Sequence, residues 1–211
     1  MNTVTVVALL HCFLFAVLVQ SAPLDSASEP PAAFRTVAER AKTLVEKILK
    51  DIPIAHAATI TTEGLTLDAS GQTTNLQMMV KTLGIPDAPV IKPLSERFTL
   101  DMYVSRMSAG SRLYQGLLGV LSDRLSGLSD LRSELRDLLT QISKMREAAQ
   151  LATGSDADQN QSLDLASRLQ GNYEVQVAAH MTLSKLRSFC HDLIRSLRAV
   201  ATYRPSPAGT V

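Results

Sequence analysis

The chain has 211 residues, with 21 Lys and Arg against 20 Asp and Glu, for a net charge of +1. A balance that even supplies no electrostatic pull toward nucleic acid or an anionic membrane surface, which argues against both as partners. Hydrophobic residues make up 45% of the chain, enough for one domain with a substantial core.

The opening MNTVTVVALLHCFLFAVLVQSAP is apolar over residues 4–19 and then turns to small residues. It is short for a bilayer span and carries a Val19-x-Ser21 cleavage pattern, so residues 1–21 are expected to be a secretory signal peptide. Residues 22–211 are then a single extracellular domain with no membrane insertion. Cys12 leaves with the signal, and Cys190 remains as the only mature cysteine. An internal disulfide is impossible, and the core must hold the fold unaided. Secretion also gives meaning to Asn160-Gln161-Ser162, a sequon at which Asn160 is expected to carry glycan.

After a Pro/Ser-rich start, apolar residues fall at Phe34, Val37, Ala41, Leu44, Val45, Ile48, Leu49 and Ile52, the period of an amphipathic helix that Pro53 is expected to end. Leu76, Met79, Val80 and Leu83 hint at a short helix, stopped by the Gly and two Pro of TLGIPDAP. A second long pattern, starting near Pro93, runs through Phe98, Leu100, Val104, Met107, Leu113, Tyr114, Leu117, Leu118 and Leu121, with Gly110, Gly116 and Gly119 embedded. A glycine inside a helix costs about 1 kcal/mol, and close packing is the natural compensation.

The third long pattern, Leu128, Leu131, Leu135, Leu138, Ile142, Met145 and Ala149, alternates by three and four as a bundle seam does. The fourth runs from about Leu165 to Tyr203 through Leu169, Leu183, Leu186, Phe189, Cys190, Leu193, Leu197 and Val200. No strand pair or internal repeat interrupts them. The expected fold is therefore all-α, a four-helix bundle. About forty residues separate the first and second long helices, too many for an idle connection. They make sense if the connection crosses the length of the bundle so that both helices point the same way. The polar stretch GSDADQNQSLDLAS repeats this between the third and fourth helices, while the turn at Ser126-Gly127 is short. Long, short, long is the connectivity of an up-up-down-down bundle with a short extra helix in its first crossover.

Signals for catalysis are poor. His56, His180 and His191 have no companions at metal-ligand spacing, and no nucleophile elbow, phosphate loop or Cys/His cluster is present. No enzymatic activity and no cofactor are expected. Cys190 lies on the apolar stripe of the last helix and reads as a buried, inert thiol.

Charge spacing is more informative. At about 100° per residue, Asp130, Glu134 and Asp137 share one flank beside the seam of the third helix, opposite Arg132 and Arg136. Glu39 and Glu46, seven apart, project together from the first. Two readings stand: solvated charge that keeps the helices soluble, or an acidic recognition patch where the first and third helices lie side by side.

LGIPDAP followed by SAGSRLYQGLLGVL resembles the passage from crossover helix to second helix in the granulocyte colony-stimulating factor branch of the interleukin-6-type long-chain cytokine family. The likeness continues through LSDLRSELRDLLTQISKMRE. It resumes in LRSFCHDLIRSLRAVA, where Leu186, Ser188, Phe189, Arg195, Leu197, Arg198 and Ala201 match the family's terminal helix. It covers most of residues 81–147 and 186–201. The first helix is less similar.

The resemblance implies a secreted haematopoietic cytokine, a monomer that assembles chains of a class I cytokine receptor through its ectodomain and so promotes granulocyte-lineage proliferation, differentiation and survival. It also implies that the main receptor surface uses the first and third long helices, with the family's acidic positions falling on Glu46, Glu134 and Asp137; Glu39 and Asp130 flank them. A second receptor contact on the crossover helix aligns with Asn75 and Met78, where Asn75 replaces the family's acid. Tyr103 stands where the mammalian proteins have a disulfide cysteine, the pattern of a divergent non-mammalian form. An interleukin-6-like or myelomonocytic-growth-factor-like cytokine is the alternative within the class. A secreted amphipathic-helix lipid-binding protein is the alternative outside it.

Overall fold

The structure, a computed structural model, describes residues 32–67, 74–92, 99–151 and 165–201. Among them every regular element is a helix: α1 (Ala32–Thr59), α2 (Thr74–Leu83), α3 (Leu100–Ser122), α4 (Ser129–Ala148), α5 (Leu165–Arg168) and α6 (Asn172–Ala201). The expected signal segment, Asn160, the start of the second long helix near Pro93 and the end of the fourth at Tyr203 lie outside the described residues. The side chain of Asn75 does as well.

Each long helix buries most of the stripe that its apolar spacing marks out, with residues such as Val37, Leu44, Leu49 and Leu113 only partly buried at its margins. In α4 the buried set includes Leu131, Leu135, Leu138, Ile142 and Met145, and in α1 it includes Phe34, Ala38, Ala41, Val45, Ile48 and Ile52. These stripes meet in one hydrophobic core. α1 packs chiefly against α4 and α6, and so does α3, while α2 lies on α6 and α5 on α3. The result is an all-helical bundle of four long helices with two short ones on its outside.

Contacts fix which parts of the helices meet. The Thr59 hydroxyl, at the end of α1, donates to the Ser126 carbonyl just before α4 (3.1 Å). Farther back, Lys47 pairs with Glu134. Gly110 of α3 lies against the Phe189 ring of α6, and Arg146 near the end of α4 donates to the Ser105 hydroxyl near the start of α3 (2.9 Å).

Two boundaries differ from the sequence expectation. α1 does not end at Pro53; it continues to Thr59 with the proline inside it. Pro53 removes one helical hydrogen bond, to the Leu49 carbonyl. Ala55, His56 and Thr59 are nevertheless buried beyond it, and that packing outweighs the lost bond. The second long helix is observed from Leu100, where Thr99 caps it by accepting from the Met102 amide (3.4 Å). The fourth expected helix is two, α5 and α6, separated at Gly171. The Gly171 carbonyl receives the Val175 amide (3.2 Å), and the Glu174 carboxylate folds back to where a Gly171 side chain would stand. An acid in the first turn suits the positive end of the helix dipole.

The short turn between α3 and α4 is as expected. Gly127 has φ +92°, a left-handed conformation that glycine adopts without strain.

Candidate functional site

The charged residues of α1 and α4 separate into two groups. On the side of α1 facing α4, the Lys47 ammonium bonds Asp51 one turn on (2.8 Å) and the Glu134 carboxylate on α4. Glu134 is therefore covered by α1 and not open to solvent on its flank. It is 8% exposed, sunk into the helix contact, and its Oε2 has no hydrogen-bond partner among the described residues. Burial raises the Glu134 carboxyl above its ordinary value; Lys47 opposes this, and the neighbouring Asp51 adds to it. Lys47 in turn holds Asp51 below the usual carboxylate range, and the two acids raise Lys47.

Asp130 and Asp137, one turn either side of Glu134, are exposed. They lie on the same flank of α4 by helical spacing.

Glu46 follows a different direction. It is half-exposed and faces α6, 3.8 Å from Arg198. It lines a groove between α1 and α6 of about 620 Å³, in which Lys50, His191, Arg195 and Arg198 surround a floor of Leu49 and Ile194. Glu39 is exposed and bonds Lys42 on its own helix (2.6 Å). Lys47 follows Glu46 by about 100° around α1, so its ammonium stands between the two sets of acids. The carboxylates expected to form one patch thus belong to two faces, Glu39 with Glu46 and Asp130 with Asp137, and Glu134 is covered.

The crossover stretch 82–89 is fastened to α6. Leu83 and Ile85 are buried, and the Ile85 amide reaches the Val80 carbonyl (3.2 Å). Gly84 takes φ +66° with the Arg168 guanidinium against it. Asp87 pairs with Lys185 of α6 (2.5 Å). On α2 the Met78 side chain is 62% exposed, available for contact.

Sequence spacing gave no sign of one pairing. His56 of α1 and His180 of α6 meet in the interior, with Nε2 and Nδ1 3.0 Å apart and the rings edge to face. Their apolar settings, PIAHAA and VAAHMT, are the only signal the sequence carries of their burial. Among the described residues no group of three or more His, Cys, Asp or Glu could hold a metal ion. No described helix is long and apolar enough to cross a membrane. Cys190 is buried, and its surroundings push the thiol up to about 12.

No protein-family description matches the chain, and no curated protein matches it in sequence.

Proposed function

We propose that this chain is a secreted helical cytokine of the granulocyte colony-stimulating factor kind, which binds and assembles a class I cytokine receptor and carries out no reaction of its own. The observation that carries the reading is the direction of the helix contacts. Moving along α1 from Lys47 to Thr59, the partners fall back from Glu134 to Ser126, and against α6 from Arg198 (facing Glu46) to His180 (facing His56). α3 runs against the same two helices: Ser105 meets Arg146, Gly119 meets Arg132, and Gly110 meets Phe189 while Tyr103 lines a cavity with Ser196. Contacts of this sense support an up-up-down-down bundle with two long crossovers, which long-chain cytokines use.

The residues quoted from TLGIPDAP, α3, α4 and α6 supply the rest of the support, since the bundle alone is shared by proteins of many functions. The receptor surface in this reading is the exposed acid of α4, Asp130 and Asp137, approached from one side, with Glu46 and Glu39 on the adjoining face of α1. Glu134 positions α4 on α1 through Lys47. Met78 and the neighbourhood of Asn75 form the second contact.

Co-purification with a class I cytokine receptor ectodomain tests the proposal, with a liposome flotation assay beside it. Retention on the receptor and recovery away from vesicles is the expected pair of results. Robust vesicle binding with a large gain in helicity, and none to receptor, would replace the cytokine reading with the lipid-binding one.

A further inference from the structure

We propose that His56 and His180 form an acid-released latch on the last turn of α1, holding that turn to α6 while the imidazoles are neutral and freeing it when the pair takes up a second proton. The Nε2 of His56 and the Nδ1 of His180 are 3.0 Å apart, so one of these nitrogens donates its hydrogen and the other accepts with its lone pair. A first proton can be taken on a ring nitrogen outside this contact and leaves the N–H···N bond whole. A second must be taken on the accepting nitrogen itself, which ends the bond and sets two like charges face to face in a buried site.

Among the described residues nothing beside the pair compensates such a charge. One turn from each imidazole stand Thr59 and Gln176, both uncharged and both engaged. The Gln176 amide donates to the Thr59 carbonyl (3.1 Å) and its carbonyl receives the Thr61 amide (2.8 Å), while the Thr59 hydroxyl donates to Ser126. Among the described residues, the charged groups around this end of the bundle are Glu63 on the segment after α1, Asp123 and Arg124 on the turn before α4, and Glu174 in the first turn of α6. The first three are exposed, and Glu174 turns to Gly171. None of them bears on the pair: burial lowers His56, and burial followed by the charge of His56 lowers His180. With both groups depressed, the opened state binds more protons than the closed one. The latch is therefore fully effective above about pH 6.5 and is lost as pH falls below it.

The segment it holds is joined less firmly to its own helix than an ordinary last turn. Pro53 withholds the amide that would bond the Leu49 carbonyl, so the turn beyond it is joined to the rest of α1 by one hydrogen bond fewer. The Ile60 amide donates to the His56 carbonyl (2.8 Å), and with the Thr61 amide it reports directly on the latch.

Native-state hydrogen exchange on the full chain at pH 7.5 and 5.0, corrected for intrinsic rates, reads the opening. The expected result is a rise of at least ~10-fold in the opening constants of Ile60 and Thr61 relative to Leu135 and Leu138 of α4, against a ceiling of about 100-fold per pH unit for two protons. The double variant His56→Gln and His180→Gln should lose the pH dependence. An unchanged ratio in the wild type, or a rise that persists in the double variant, overturns the proposal. So does an NMR titration of the wild type in which both imidazoles protonate at or above pH 6.5, a result that needs no variant to fold.

Discussion

Lys47 on α1 spans two carboxylates, Asp51 on its own helix and the buried Glu134 on α4. Removing the cation strands a carboxylate in the helix contact, a larger disturbance than removing both partners together. A Lys47→Met variant should therefore lose more thermal stability at pH 7 than at pH 4. Glu134 is raised by burial and would rise further without Lys47. Its folded form then favours the proton, so what it contributes is present at low pH and lost as pH rises through its folded value. Adding Glu134→Leu should recover part of the loss at pH 7. Melting curves giving the same loss at both pH values would contradict this arrangement.

The glycines of α3 separate into two kinds. A Cβ at Gly110 would run into the Phe189 ring, which is itself held by Tyr114 with ring centroids 5.3 Å apart. Overpacking there costs roughly 1–3 kcal/mol against a helix gain of about 1, so Gly110→Ala should be neutral at best and destabilising in most of that range. At Gly119 a Cβ meets Arg132 at 3.5 Å, an ordinary contact. Gly119→Ala should stabilise by up to about 1 kcal/mol. Denaturant midpoints of the two variants check the ordering, and a stabilised Gly110→Ala would refute it.

Cys190 should resist thiol reagents for as long as the fold persists, because burial both shields it and holds it as the thiol. Cys190→Ser should cost about 1–3 kcal/mol through a hydroxyl in an apolar site. Rapid labelling of the native protein would show the burial to be wrong.

Periodicity revealed what depends on one helix at a time. Most of the seam of α4 and of the apolar stripe of α1 is buried as the spacing demands, and Leu76 and Leu83 of the short crossover helix are buried too. What escaped depends on partners far away in the chain. Glu134 is one position off the seam on a helical wheel, and only Lys47, 87 residues earlier, accounts for its burial. The His56 and His180 contact spans 124 residues. Pro53 is a helix stop by local rules and fails as one because the turn beyond it gains tertiary burial. Likewise Glu39 and Glu46 do share a projection, but spacing could not tell that α6, and not α4, lies opposite Glu46.

The most direct measurement is receptor affinity for four folded proteins: wild type, Glu46→Lys, Asp137→Lys and Glu147→Lys, each titrated against a class I cytokine receptor ectodomain that retains the wild type. Asp137 and Glu147 are both exposed on α4, and only the first belongs to the proposed surface. If acids on α1 and α4 meet basic receptor groups, Glu46→Lys and Asp137→Lys should each weaken binding by roughly 30-fold or more through lost attraction and added repulsion. Glu147→Lys should stay within about 2-fold, as an exposed substitution away from the contact does. Affinities equal across all four, with helicity unchanged, would contradict the account and return these carboxylates to ordinary solvation.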